Sequence, residues 1–362
     1  MNNSVARPLT LNPSPPMGAR KVCLSRLMGI LVVALCITGC RSSMPNEKLS
    51  RFGFNEPHMG TLFSVTLYAP DADAATAAAE AAFQRVAKLD RMMTDYDPKS
   101  ELMQLCGRPV GEPTHVSPEL FELLQESVRV ARETDGAFDI TVGPFVRAWR
   151  AARKTRVLPT AEQIAEMRKS IGWQKLRFDA RNQTVTLLAP HMQLDLGGIA
   201  KGYAADQALA VMRKMGIKSA LVAASGDIAI GDAPPGRAGW KVGIESMDGP
   251  TNGLARSIFL HNAGVSTSGG TEQFVEINGV RYSHIIDPVT GLGMTNRIQS
   301  TIIGPNATIT DGLDTPTAIM GVKRAFALID SQPKLAAIMY TDDAEGRHQF
   351  ESRRFRKRFS AK

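Results

Sequence analysis

Asn278-Gly279 falls between two short runs of strand character, Phe274–Ile277 and residues 281–286. A type I′ turn needs positive φ at both central positions, which Asn and Gly accept most readily, so this segment predicts an antiparallel hairpin. Period-two alternation over residues 61–68, with Phe63, Val65 and Leu67 on one face, predicts another strand. Helical stretches lie between such runs. Residues 71–93 place Ala75, Ala79, Phe83, Val86 and Leu89 on one side. Ser117-Pro118 opens a second helix, with Ser as N-cap, Pro in the first turn and a buried stripe of Leu120, Leu124 and Val128. Thr160 with Gln163 forms a capping box for a third, short helix. Residues 204–215 read as a helix with Gly216 at C′, and residues 310–330 as mostly helical. Further strands are expected at 175–179, 183–188, 219–224, 240–245, 257–260, 299–303 and 335–341. Strand and helix mix without strict βαβ alternation, which predicts the α+β class.

The first forty residues have a different character. Arg20, Lys21 and Arg26 precede an apolar run at 27–38, which is short for a membrane span and suits a signal h-region. The run ends in Thr38-Gly39-Cys40. That ending resembles the lipobox of bacterial lipoproteins, in which the Cys sulfur takes a diacylglycerol. A plain signal peptide cut nearby, or a membrane anchor, is the competing reading. The expected organisation is a signal peptide over 1–39, a lipidated polar tether over 40–52, one domain over 53–350 and a basic tail over 351–362. The chain is then expected on a bacterial cell membrane, lipid-anchored and facing the periplasm. Charge follows the same division. The chain carries 43 Lys and Arg against 35 Asp and Glu, a net +8. Arg7, Arg20, Lys21 and Arg26 lie before Cys40, and six more bases follow Ser352, with no acid in either segment. The body is therefore about neutral, and the basic balance belongs to the ends. Aromatics are scarce at 6%, which further excludes a stacked nucleic-acid platform. Three of the four cysteines fall within residues 1–40, so Cys106 stands alone in the body and no internal disulfide forms there.

Three segments carry the residue types of phosphate chemistry. Asp195-Leu196-Gly197-Gly198-Ile199-Ala200-Lys201-Gly202-Tyr203 runs from a strand through two glycines to a Lys at a helix start. Glycines admit close backbone approach, a helix N-terminus favours anions, and Lys201 adds positive charge. The Walker A spacing is missing, and a purely structural strand-to-helix turn is the competing reading. Asp311, Asp314 and Thr315 stand three and four residues apart, so on a helix their oxygens share one face and suit Mg²⁺. The competing reading there is N-capping by Asp311 with Asp314 in the first turn. His284 lies on a strand leaving the hairpin and is either an acid–base group or a structural residue. Two segments are weaker. Residues 134–139 form a loop with an outward carboxylate or a helix-ending turn, and residues 266–270 a phosphate-binding or flexible loop.

Taken in order, seven segments resemble one family. They are Met59-Gly60-Thr61, residues 93–102, 135–144 and 195–203, Thr267-Ser268-Gly269, residues 281–288 with Thr290-Gly291, and residues 311–315. The family is the ApbE lipoproteins, which are FAD:protein FMN transferases, and the likeness runs from 53 to 341. The resemblance implies an α+β fold with flavin held between two lobes. It implies flavin contacts at Met59, Tyr96, Ala137, Phe138, Asp139, Asp195, Lys201 and Ile285. It implies a Mg²⁺ site of Asp311, Asp314 and Thr315 with a backbone carbonyl near Gly198 or Ala200, and His284 as general base. FMN then passes from FAD to a Thr or Ser hydroxyl of an acceptor protein, typically a membrane redox subunit or periplasmic flavoprotein, and AMP leaves. Two other readings stay open: a Mg²⁺-dependent FAD pyrophosphatase, and a non-enzymatic flavin-binding lipoprotein. The chain departs from the family pattern at Ser225, where the first Gly of Gly-Gly-Asp is usual. Gly270 stands where an acid is common, and Pro316 where Ala is usual. Pro316 needs no N–H in a first helical turn, but it puts the register of Asp314 in question.

Overall fold

The chain enters the fold through an antiparallel pair, β1 (Ser50–His58) and β2 (Thr61–Ala69), joined at Met59-Gly60. Residues 48–245, 247, 254–269 and 274–359 are described by this computed structural model. Cys40, the apolar run before it and Gly270 lie outside them. β1 starts at Ser50, so the end of the expected tether is strand instead: Ser50 pairs with Ala69 and Phe52 with Leu67. β2 buries Phe63, Val65, Leu67 and Ala69, the alternation expected of it.

α1 (Ala72–Met93) follows, capped by Asp71, whose carboxylate accepts the Ala74 N–H at 2.8 Å. Next come α2 (Glu101–Cys106), β3 (Thr114–His115), α3 (Pro118–Glu133), α4 (Gly143–Thr155), α5 (Ala161–Arg168), β4 (Leu176–Asp179) and β5 (Thr184–Leu187). The three strands form a small sheet in the order β3-β5-β4. Ser117 caps α3, and the reciprocal capping box of Thr160 and Gln163 opens α5. α6 (Ala200–Lys214) begins at Ala200 rather than 204. It ends in the paired bonds of a Schellman motif, Ile217 N–H to Met212 O and Gly216 N–H to Arg213 O, with Gly216 at φ 88°.

The remaining elements are β6 (Ala220–Ala224), β7 (Asp227–Ile230), β8 (Trp240–Glu245), β9 (Leu254–Leu260), β10 (Ala263–Gly269), β11 (Phe274–Ile277), β12 (Val280–Ser283), β13 (Arg297–Gly304), α7 (Ala307–Ser331), β14 (Ala336–Asp343), β15 (Gly346–Glu351) and α8 (Arg353–Phe359). The main sheet has eight strands ordered β1-β2-β6-β7-β10-β13-β14-β15, and every neighbouring pair is antiparallel. The fold is α+β. The expected hairpin is β11–β12, with Asn278 and Gly279 at φ 53° and 75°. Alternate sheet residues serve two cores. Phe63, Val65, Val222, Ile302 and Ala337 pack with the helices, among them α1 and α6. Ile230, Val265, Ile303 and Ile338 pack with β8, β9 and α8.

Four more sequence readings change. Residues 266–269 are not a loop but part of β10, bonded to β7 on one side and β13 on the other. Its hydroxyls meet other hydroxyls: Ser266 with Thr310 at 2.9 Å, and Thr267 with Thr301 and Ser268 with Thr315 at 3.0 Å each. α7 is capped by Asn306, which accepts the Ile309 N–H at 2.9 Å, so Asp311 is no cap. Pro316 stands inside that helix, not in its first turn, and the helix breaks instead at Gly321, φ 74° and ψ 164°. Finally, the expected basic tail contains α8. Its Phe355 is fully buried, and Arg354 donates to the carbonyls of Ile329 and Leu335 at 2.8 Å. Among the described residues no helix is long and apolar enough to cross a membrane.

Candidate active site

Three carboxylates meet beside the start of α6. The β6–β7 turn holds Ser225 at φ 57° and brings Asp227 to the first position of β7, opposite Ala224. α7 presents Asp311 and Asp314 one turn apart. A carboxylate oxygen from each of Asp227, Asp311 and Asp314 lies within 4.8 Å of the other two, and all three residues are buried. Lys201 forms an ion pair with Asp227, and its Nζ stands 3.6 Å from Asp311 Oδ1. The Gly202 N–H donates to Asp311 Oδ2 at 2.8 Å. α6 and α7 approach so closely there that a Cβ on Gly202 would lie 2.2 Å from the Ala307 carbonyl oxygen.

One ammonium thus faces three carboxylates. Burial, then the Asp227 charge, pushes Asp311 up to about 7. Burial, then Asp227 and Asp311, holds Asp314 well above the usual carboxylate range. Burial pulls Lys201 down, but Asp311 and Asp227 outweigh it and its pKa is raised, so it remains an ammonium. Asp227 Oδ1 is buried without a hydrogen-bond partner. Excess buried negative charge and an orphaned carboxylate oxygen are what a hard divalent cation relieves. Three carboxylates with the adjacent Thr315 hydroxyl therefore fit Mg²⁺. Thr315 donates its N–H to the Asp314 carboxylate, which ties these two together.

Lys201 also lines a cavity of about 530 Å³. Its walls come from the β1–β2 tip (Met59, Gly60), the end of α1 and the loop after it (Asp90, Met93, Thr94, Asp95, Tyr96), Arg150 of α4, and Asp195, Leu196, Gly197 and Ala200. The Met59 N–H donates to Asp90 Oδ2 at 2.9 Å, which pins the hairpin tip to α1. Asp195 Oδ1 accepts the Gly197 N–H at 2.8 Å and shapes the turn into α6. Burial and then the Asp95 charge raise Asp195 above its ordinary pKa, against the Gly197 N–H and Arg150. A larger cavity of about 750 Å³, between α3, α6 and the start of α7, has none of Lys201, Asp227, Asp311 or Asp314 in its walls. The smaller one, next to the charge cluster, is the candidate site.

Of the positions implied for flavin, Met59, Tyr96, Asp195 and Lys201 line this cavity, while Ala137, Phe138, Asp139 and Ile285 do not. Residues 134–139 are a helix-ending turn, with Asp135 and Gly136 at φ 54° and 78°. Ala137 is half-buried in it. Phe138 is buried against Gly198, where a Cβ would sit 3.4 Å from the ring. Asp139 commits both oxygens internally. Oδ1 accepts the Thr141 N–H and O–H at 2.8 and 2.7 Å, and Oδ2 the Trp173 N–H at 3.0 Å. Ile285 is buried with Met294 and Ile298. β12 ends at Ser283, so His284 sits exposed in the bend that follows, not on the strand. Gly198 lies in the turn before α6, and Ala200 is the first residue of that helix. Asp227 is the residue that sequence reasoning missed. Its signal was its place as the Asp of the family's Gly-Gly-Asp, which reads Ser225-Gly226-Asp227 here.

Fold and site together define an antiparallel α+β protein with a buried, oxygen-only cluster of three carboxylates beside a cleft. Residues 59–339 match the ApbE family, and the chain belongs to that family. A FAD:protein FMN transferase of Treponema pallidum (strain Nichols) is 30% identical to it over 336 residues, 89% of this chain and 92% of that one. A FAD:protein FMN transferase of Vibrio cholerae serotype O1 (Classical Ogawa 395) is 29% identical over 318 residues, 86% of this chain and 93% of that one. Among solved structures, the apo Pseudomonas stutzeri flavinyl transferase ApbE superposes with a TM-score of 0.77 at 26% identity, covering 88% of this chain and 100% of its own. The ApbE protein of Thermotoga maritima gives 0.77 at 28%, covering 86% and 100%.

Proposed function

We propose that this chain is a Mg²⁺-dependent FAD:protein FMN transferase that moves FMN from FAD to a Thr or Ser hydroxyl of an acceptor protein and releases AMP. The observation that carries this reading is the buried cluster of Asp227, Asp311 and Asp314, with its unpartnered oxygen, sharing Lys201 with the cleft. The names of the relatives support flavin as the group transferred.

Asp227, Asp311, Asp314 and Thr315 would hold Mg²⁺, which when bound offsets charge on the pyrophosphate and on the departing AMP. Lys201, held as an ammonium by its carboxylate neighbours, orients the phosphate end of FAD. Met59, Tyr96 and Asp195 border the space left for the flavin. The acceptor oxygen bonds to the phosphorus of the FMN half. The bond from that phosphorus to the bridging oxygen breaks, and its electron pair leaves with AMP. The hydroxyl proton passes to a ring nitrogen of His284, whose exposed position a second protein can reach. The acceptor is a membrane redox subunit or periplasmic flavoprotein, in reach of a chain anchored through lipid on Cys40. Cys40→Ser should therefore strip the lipid mass and release the chain from membranes; unchanged retention would sink the anchor.

The transfer is tested by incubating the protein with FAD, MgCl₂ and a candidate acceptor. The expected result is in-gel flavin fluorescence on the denatured acceptor with an equal yield of AMP, both lost in EDTA. FMN and AMP without a labelled band would identify a pyrophosphatase instead. His284→Gln should cut transfer by about 10²–10⁴-fold while FAD still binds. Transfer within a few-fold of wild type would remove His284 from proton transfer.

A further inference from the structure

Of the two cations lining the cleft, Lys201 and Arg150, the second has no task in the transfer step. Arg150 follows Trp149 on α4, and Trp149 is buried against the β11–β12 hairpin. The Arg150 guanidinium ties together two segments far apart in sequence. Nη1 pairs with Asp95, and Nη2 lies 3.3 Å from Asp95 Oδ1 and 3.4 Å from Asp195 Oδ2. A guanidinium held at its edges by carboxylates keeps its flat faces for stacking. One face covers Tyr96, with Cζ 4.2 Å from the ring centroid. Tyr96 is still 76% exposed, so the face turned away from Arg150 is open. The backbone around the ring is fixed separately. The Tyr96 N–H donates to Thr94 Oγ1, the Lys99 N–H to Asp97 Oδ1 and the Ser100 N–H to Asp97 O. Besides holding the loop through Asp95, Arg150 therefore covers the Tyr96 side chain itself. A free Tyr must give up two side-chain torsions when it stacks a planar ligand, and a pinned one has already given them up.

We propose that Arg150 is a positioning residue, pinning one face of Tyr96 so that the opposite face is preset to stack the planar ring system of the flavin. This rests on the reading that FAD binds in this cleft. A lysine supplies a charge but no plane and no fork, so it does not replace Arg150.

The test is a double-mutant cycle on FAD affinity, measured by calorimetric titration of the full chain with Mg²⁺ present. Its members are wild type, Arg150→Met, Tyr96→Ala and the double variant. Each single change should weaken binding by about ten-fold, and the double by about the same ten-fold, because both remove one prepared surface. Losses that multiply to about a hundred-fold would mean that Arg150 acts independently of Tyr96, and would overturn the proposal. So would an Arg150→Met protein that binds FAD as wild type does. Arg150→Lys carries the same cycle if the Met variant fails to fold. Absence of FAD binding by the wild type would bring down the transferase reading and this proposal with it. Multiplying losses with wild-type binding intact would bring down only the role of Arg150.

Discussion

Asp311 accepts the Gly202 N–H and lies 3.6 Å from the Lys201 ammonium, yet burial and the Asp227 charge push its pKa up to about 7. Lys201 cannot serve three carboxylates at once. Unfolded, the same carboxyl titrates near its ordinary 3.8. Between those values the folded chain holds a proton that the unfolded chain has released, so stability falls as pH rises from about 4 to about 7. The metal-free protein should therefore show a Tm that drops across this window. Mg²⁺ should raise Tm more at about pH 8, where Asp311 is ionised, than at about pH 5. Asp311→Asn should flatten the pH slope and weaken the Mg²⁺ response. A metal-free Tm that stays level across the window would show that the charge excess is not there. Asp311, Asp314, Thr315 and Lys201 were legible in the sequence because each belongs to a local helical pattern. Asp227 was not, since its partners come from α6 and α7 and only folding assembles them. The distant Trp173 N–H that fills the Asp139 carboxylate was hidden for the same reason.

Between elements, the decisive contact is the crossing of α6 and α7 at Gly202. A methyl group there would meet the Ala307 carbonyl oxygen at 2.2 Å and the Asp311 Cβ at 2.7 Å. The first of these is backbone, so no rotamer relieves it, and the helices must part. Gly202→Ala should cost about 1–3 kcal/mol as overpacking. It should also stretch the Gly202–Asp311 hydrogen bond, lowering Tm and the stabilisation by Mg²⁺ together. An Ala variant with the wild-type Tm and an undiminished Mg²⁺ response would show that the helices tolerate separation. Elements with a clean period were readable in advance: β2, α1 and the Asn278-Gly279 hairpin all obey their patterns. β10 was not, because Ser266, Thr267 and Ser268 stand where a central strand normally shows apolar residues. Pairing hydroxyl to hydroxyl is what lets that strand be buried. α4 buries Phe145, Trp149 and Ala152 at helical spacing but starts without a side-chain cap, so its opening signal is missing.

Over the whole molecule, the six bases after Ser352 suggested a basic tail, and the fold puts part of that charge to internal use. The end of a helix gathers unsatisfied carbonyls and the negative end of its dipole. Arg354 meets that need at α7, donating to Ile329, Gln332 and Leu335, while Arg353 Nε lies 3.1 Å from Asp330 Oδ2. Phe355 closes the core made by β8, β9 and one face of the sheet, and its ring centroid lies 5.3 Å from that of Phe359. In the sequence, this showed only as two Phe four residues apart in a run of bases, which the charge obscured. Ending the chain after Ser352 removes the buried Phe, worth about 3–5 kcal/mol on truncation to Ala. It also uncovers the α7 carbonyls. Against a total stability of about 5–15 kcal/mol, that loss leaves little margin. The shortened chain should accumulate in the insoluble fraction or melt far below the full chain. Phe355→Ala should fall between the two, and replacing the exposed Arg356 and Lys357 by Gln should shift stability by no more than about 0.5 kcal/mol. If the truncated protein instead melts with the full chain, α8 is a tail in the energetic sense, and its burial of Phe355 contributes nothing that the sheet cannot supply alone.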